Sequence, residues 1–263
     1  MSSDRPLRAG ADGFTLSVIV PALDEAPCID TVLRGVMATP SIEEVLVVDG
    51  GSRDGTLEIV QARVDARRDE ERPQLRLLRQ STPGFGPGLW EAFERARGDL
   101  LCIVDADGSH DWRDIPKMRR RIAAGADYVL GSRYRGPFRW RGPLRWPWST
   151  SEDDSWFHEW GNLGIVLLAR ALHGYPLSDV MMGLQMWRRS NFERVTLSEK
   201  SQAFEAELKL RTLSAGYVME EFTTHERKRI GGEAKLHALR DGAATLEVIL
   251  SLWWARRRGR GDE

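Results

Sequence analysis

The stretch LLCIVDADGSHD, residues 100–111, decides how the chain is read. It opens on an apolar run too short for a buried helix, and the turn formers behind that run predict a strand buried on both faces. Asp105 and Asp107 follow directly. Side chains two apart in an extended chain point the same way, so both carboxylates face one ligand. Two like charges side by side are costly unless something positive lies between them. A hard divalent cation with open coordination positions neutralises them and also grips phosphate oxygens. The pair therefore predicts a metal-diphosphate site. A plainer role stays open, in which one Asp caps the helix expected from Asp114 and the other is solvated.

Outward from this strand, Val/Ile/Leu-rich runs at 16–21, 44–49, 75–80 and 128–131 alternate with amphipathic stretches at 26–37, 55–68, 89–96 and 114–124. Such alternation predicts an α/β fold of parallel strands joined by helices. Three strands run into polar clusters: PALDE (21–25), DGGSRDG (49–55) and DADGSHD (105–111). Ligands of open α/β sheets bind beyond the carboxyl ends of the strands, so the three clusters converge on one cleft. In VLVVDGGSRDGT (45–56), Asp49 suits the base or ribose hydroxyls of a nucleoside, and Asp54 suits a helix N-cap. The GFGPG stretch (84–88) lacks the spacing of a phosphate cradle and reads as a tight turn before a helix. His110 reads as a hydrogen-bonding turn residue.

Composition bounds the rest. The 263 residues are about the upper size of one domain, and 41% hydrophobic with 29% charged residues is the balance of a folded soluble protein. Lys+Arg 38 against Asp+Glu 39 gives a net charge of −1, which argues against a nucleic-acid binder. Cys28 and Cys102 make no disulfide framework and no zinc spacing, so a reducing, cytoplasmic location is expected. Residues 1–13 are polar, unlike a secretory signal, and read as a disordered tail; nowhere do 18 apolar residues run uninterrupted.

Periodicity stops over 134–157, where Pro, Gly, Arg and Trp mix without a regular repeat, and this segment reads as a long functional loop. Of 10 Trp in the chain, Trp140, Trp146, Trp148, Trp156 and Trp160 fall in or beside it, among Arg135, Arg139, Arg141 and Arg145. Beyond it a helix is expected over 158–173, a strand over 184–189, a helix over 203–215, a strand over 217–223 and a last helix over 235–255. On that amphipathic helix Leu239, Ala243, Leu246, Leu250 and Trp253 recur on one face, and Arg256, Arg257, Arg258 and Arg260 follow. Aromatic and basic residues together suit a peripheral contact with a membrane or the head of an amphiphile. The same helix face also suits packing on the domain itself or on a second subunit.

Taken in order, IVPALDE (19–25), VVDGGSRDGT (47–56), DADGSHD (105–111) and GSRY (131–134) resemble the family 2 glycosyltransferases, and within them the polyprenol-phosphate branch of dolichol-phosphate mannose synthases. GFGPGLWEAFERARGD (84–99), AFEAEL (203–208) and RIGGEAKL (229–236) extend the similarity to most of the chain. The resemblance implies a GT-A fold over 14–235, a Rossmann-like, mostly parallel sheet flanked by helices, with 236–263 as a helix and basic tail. It also implies a nucleotide-sugar donor and a Mg2+ or Mn2+ ion. Carried over by position, Pro21, Leu23, Glu25, Asp49 and Asp105 bind the nucleotide, while Asp105 and Asp107 hold metal and diphosphate. Ser109 stands where some relatives have a metal-binding Gln. Arg133, Arg229 and Lys235 match phosphate-binding positions, and Arg suits phosphate through its planar fork of donors. Asp179 matches an acidic position near the acceptor. The chain departs from the family pattern at Asp24, where Asn is usual, at Gly50, where Asp is common, and at Ala234, the Ser of SKL.

The activity implied is inverting transfer of a hexosyl group, mannose from GDP-mannose on the strength of the SHD after DAD, to a polyprenyl phosphate at the inner face of a membrane. Asp107, Arg133 and Asp179 are the catalytic candidates. A phosphate acceptor is already an anion and needs no base, whereas an alcohol would need one, for which Asp179 is the candidate. A UDP-sugar with a soluble hydroxyl acceptor, and a non-catalytic nucleotide-sugar-binding subunit, stand as alternatives.

Overall fold

Every side chain of EVLVVD is buried, as befits a strand with helices on both faces. In a computed structural model, described for residues 7, 9–10, 12–68, 71–135, 148–192, 195–231 and 238–259, this run is β2 (Glu44–Asp49). Before it come β1 (Leu16–Ala22) and α1 (Ile29–Met37), and after it α2 (Thr56–Asp65), β3 (Gln74–Arg79), α3 (Phe85–Arg95) and β4 (Leu100–Ile103). A 3-10 turn (Trp112–Asp114) leads into α4 (Ile115–Ala123) and β5 (Tyr128–Ser132). The second half adds α5 (Trp156–His173), β6 (Gln185–Arg188), α6 (Arg189–Phe192), α7 (Phe204–Ser214), β7 (Met219–Thr223) and α8 (Ala238–Arg257).

Among the described residues seven strands form one sheet in the order β3-β2-β1-β4-β6-β5-β7. All neighbours are parallel except β6, which runs against both β4 and β5. That reversal matters for the site. The segment before β6, 174–184, arrives at the same edge where β1, β2, β4, β5 and β7 end. Register keeps that edge even: Ala22 lies opposite Asp49 across β1 and β2.

Helices seat by their apolar stripes. In α1 the buried residues Ile29, Val32, Leu33 and Val36 recur at helical spacing, and Pro116 in the first turn of α4 gives up only an amide with no partner in the helix. Ser155 caps α5, accepting from the His158 amide, and Gly174 in the left-handed region closes it. Phe93 of α3 meets Trp187 of β6 edge-on at 5.0 Å, and Tyr128 of β5 stacks on the same indole at 5.7 Å. α8 packs against α5 and α7.

Two expectations change. β4 ends at Ile103, so Asp105 and Asp107 sit in the turn beyond the strand rather than on it. GFGPG is not a turn before the helix: α3 starts at Phe85. Pro87 is tolerated in this first turn, and Gly86 is needed for space, since a Cβ there would lie 2.3 Å from the Glu199 carbonyl oxygen. Trp140, Trp146, Arg139, Arg141, Arg145, Lys235 and Arg260 lie outside the described residues, as does most of the 1–13 tail.

Candidate functional site

Beyond the carboxyl ends of the parallel strands opens a cleft of about 510 Å³. One end is an apolar slot walled by Pro21 and Ala22 at the end of β1, Leu23 just after it, Val48 of β2, and Phe85 and Leu89 of α3, with the Gln80 amide among them. Its middle holds Glu25, Asp105, Asp107, Ser109, His110, Arg133, Glu205, Glu226 and Arg229. The far end is bounded by Phe157, His158, Gly161, Asn162 and Ile165 of α5, with Asp241 and Gly242 of α8.

The loops around the slot are stitched together by their own polar side chains. Asp24 adopts φ 50°, a conformation that Asp and Asn tolerate better than most residues. It accepts from the Arg53 amide at 2.7 Å, and its own amide donates to Ser52 Oγ at 3.0 Å. Asp54 ties the same loops, accepting from the Ala26 amide at 2.8 Å and the Thr56 amide at 3.0 Å. The N-cap expected of Asp54 falls instead to Gly55, whose left-handed backbone precedes Thr56, so Asp54 acts as a tie between the loops. Asp49 is buried and accepts from the Gly51 and Ser52 amides at 3.1 and 3.2 Å. It braces the turn behind the slot and is not among the cleft-lining residues, unlike Pro21, Leu23 and Glu25.

Asp105 and Asp107 both reach the cleft, by turn geometry rather than strand alternation. Asp107 Oδ1 accepts from the Ser109 amide at 2.9 Å, and its Oδ2 lies 3.6 Å from Arg229 Nη2. Gly108 between them has φ 81°, and a Cβ there would fall 2.4 Å from Ile230 Cδ1. Only glycine lets this turn lie flat against 227–230, which in return pairs its Arg227 and Ile230 amides with the Ser109 and Asp107 carbonyls at 2.8 and 2.9 Å. The capping role weighed for this pair falls instead to Asp111, which accepts from the Arg113 amide.

His110 is buried, and its Nδ1 accepts from the Asp105 amide at 3.0 Å. The ring proton therefore sits on Nε2, 3.4 Å from Asp105 Oδ2. Desolvation in the cleft raises the Asp105 carboxyl above its ordinary value; His110 opposes this, and Asp107, Glu226 and Glu25 add to it. Glu205 closes the floor beside it. A Cβ at Gly183 would lie 3.0 Å from Glu205 Oε1 and 3.2 Å from Asp105 Oδ2, so glycine there keeps the two acids facing across open space. Burial lifts Glu205 to about 7 against the pull of Lys209, whose fully buried ammonium donates to the Val180 and Met182 carbonyls at 2.8 Å each.

Arg133 follows β5 and lines the cleft from a buried position. Its Nε and Nη2 hold the Asp179 carboxylate at 2.8 and 2.9 Å, and Nη1 reaches Asp154 at 3.0 Å and Glu226 at 3.4 Å. Asp179 is fully buried and outside the cleft lining. Burial works against its charge, yet Arg133 holds the carboxyl below its ordinary range. Burial lifts Asp154 to about 6 despite the same guanidinium. Arg229 donates twice to Asp153 Oδ2, at 3.0 and 3.1 Å.

Asp153, Asp154, Glu205 and Glu226 were not singled out from the sequence. The SEDDS run before α5 and the acid pair of AFEAEL were the available signals for three of them, and nothing local marks Glu226. With them, eight carboxylates and two arginines line the cleft among the described residues. Among the described residues, no three His, Cys, Asp or Glu side chains converge closely enough to hold a metal unaided. The hard oxygen donors of Asp105 and Asp107 nevertheless fit a Mg2+ or Mn2+ ion whose remaining ligands come from phosphate and water.

The six-to-one parallel sheet with its cleft at the strand ends defines a GT-A-like α/β scaffold. The pattern described as Glycosyl transferase family 2 matches residues 17–195, and the chain belongs to that family of transferases. Over 244 residues it is 29% identical to the low-salt glycan biosynthesis hexosyltransferase Agl6 of Haloferax volcanii, a match covering 90% of this chain and 53% of that protein. The chain thus spans about half the length of that relative. It is 28% identical over 242 residues to the polyprenol monophosphomannose synthase of Mycolicibacterium smegmatis, covering 87% and 86% of the two chains. The glucosyl-3-phosphoglycerate synthase of Mycobacterium tuberculosis, crystallised with Mn2+ and UDP-glucose, shares the fold with a TM-score of 0.65 at 18% identity, covering 94% of this chain and 80% of that one.

Proposed function

We propose that the chain is an inverting, metal-dependent hexosyltransferase that moves mannose from GDP-mannose to a polyprenyl phosphate at the inner face of a membrane. The observation that carries this reading is the excess of acid among the described residues of a cleft with an apolar slot at one end. A diphosphate enters such a cleft only in company with cations. The similarity to a polyprenol monophosphomannose synthase supports the sugar and the acceptor.

In this reading Pro21, Leu23, Phe85 and Leu89 receive the nucleobase, and Glu25 accepts from ribose hydroxyls. Asp105 and Asp107 would hold Mg2+ or Mn2+, with Ser109 beside them; bound there, the cation draws off the charge that develops on the leaving diphosphate. Arg229, held next to Asp107 by Asp153, adds a fixed positive group for the same oxygens. Lys235 is a further phosphate ligand by position in RIGGEAKL. Arg133 presents its guanidinium toward the acceptor phosphate, and Asp179 positions it. A carboxylate held below its ordinary range is a poor base. That favours an acceptor that is already an anion over an alcohol.

The test is transfer of radiolabel from GDP-mannose into solvent-extractable lipid, with polyprenyl phosphate and Mn2+ present. Label is expected in the lipid and is expected to vanish with EDTA. Absence of transfer from GDP-, UDP- and dTDP-sugars alike would overturn the reading, whereas transfer from a UDP-sugar alone would change only the donor.

A further inference from the structure

The stripe Leu239, Ala243, Leu246, Leu250 on α8 does not face the core. The buried side of that helix is Asp241, Thr245, Val248 and Ile249, while Leu239 is 78% and Leu250 42% exposed. The neighbouring α5 repeats the inversion: it buries Ile165, Val166 and Ala169 and leaves Trp156, Phe157, Trp160 and Leu167 about half exposed. Eight of the twelve exposed large apolar side chains among the described residues lie on these two helices, which pack on each other. A concentration of this kind marks a contact surface.

Charge says what the surface contacts. The exposed ionised side chains of α5 and α8 are Arg170, Arg240, Arg256 and Arg257, followed by Arg258 just past the helix, against a single acid, Glu247. Arg257 lies over the Trp253 ring at 4.4 Å and Arg258 over Trp254 at 5.3 Å, an aromatic-cation pairing suited to the headgroup layer. A two-fold contact between copies would set this basic face against itself. An anionic lipid surface complements it. Among the described residues no helix is long and apolar enough to cross a membrane, so the contact is with the surface of the bilayer.

We infer that the joint outer face of α5 and α8 docks on an anionic phospholipid bilayer, seating the far end of the cleft, built by Phe157 and Gly161 of α5 and Gly242 of α8, at the level of the lipid headgroups. The inference deepens the proposed function by giving a lipid-borne phosphate its route to Arg133, but docking itself requires no acceptor. The experiment is co-sedimentation of the whole chain with vesicles of phosphatidylcholine alone or mixed with phosphatidylglycerol, with no polyprenyl phosphate present. Binding is expected only to the anionic vesicles, released by high salt. The double variant Leu246→Ser/Leu250→Ser should bind roughly a hundredfold more weakly, about tenfold for each leucine withdrawn from lipid. Its transfer to a short, water-soluble prenyl phosphate should match the parent, which controls for folding and separates failure of docking from failure of the chemistry. Equal binding by parent and variant, no binding to anionic vesicles, or a concentration-dependent dimer that the variant dissolves would each overturn the inference.

Discussion

Asp105 and Asp107 share one turn with Glu205, Glu226 and Glu25 close by, and such a group of acids stays charged only if a cation sits among them. Asp105→Asn and Asp107→Asn are therefore expected to lower kcat/KM by a hundredfold or more while leaving the melting temperature unchanged or raised, as steady-state kinetics and calorimetry would check. Asp179→Ala should behave in the opposite way. It takes the two-pronged partner from the buried Arg133, leaving Nη1 with Asp154 and Glu226, and should cost about 3 kcal/mol of stability in denaturant unfolding. Asp179→Asn should reduce turnover without shifting the acid limb of the pH profile, because Asp179 acts through Arg133 and carries no proton in the reaction. Loss of that limb would restore its role as base. Asp154 sets a pH dependence. Its carboxyl rises from 3.8 to about 6 in the folded protein, so the folded state binds the proton more tightly than the unfolded one. The resulting stabilisation is full below about 3.8 and is lost as pH rises through about 6, by at most about 3 kcal/mol. Melting curves of Asp154→Asn should lack this decline.

At the scale of elements, the parallel strands and their order of appearance were legible because buried runs such as VIV and EVLVV admit little else. The reversal of β6 was not. QMWR has no periodicity that distinguishes direction, and the reversal depends on where the 174–184 segment enters the sheet. Likewise the start of α3 was hidden because Gly-Pro-Gly argues locally for a turn, while packing against the 199–200 backbone decides for a helix. The site divides in the same way. Asp105 and Asp107 could be placed from their spacing, and Glu25, Arg133 and Arg229 from the resemblance to the family's motifs, but the acids that gather around them come from three distant segments that only folding brings together. The seam between the metal turn and 227–230 belongs to this scale. Gly108→Ala meets both a left-handed φ and Ile230, and should cost about 1–3 kcal/mol of stability. Nucleotide affinity should fall with it, since Arg229 is carried on the displaced 227–230 segment; unchanged affinity would show that the seam does not set the site.

Across the whole molecule, one cleft at the sheet edge brings together an apolar slot, a belt of acid with two described arginines, and side chains of α5 and α8. That set of surfaces matches a nucleoside, a diphosphate with its cation, and a phosphate acceptor approaching from outside. The most direct measurement is titration calorimetry of GDP and UDP with the intact chain, each with Mn2+ and with EDTA, repeated on Asp105→Asn/Asp107→Asn. The account predicts that one nucleotide binds at least tenfold more tightly with Mn2+ and that the double variant loses this gain. Equal affinity in EDTA, or a metal effect that survives the double substitution, would contradict it.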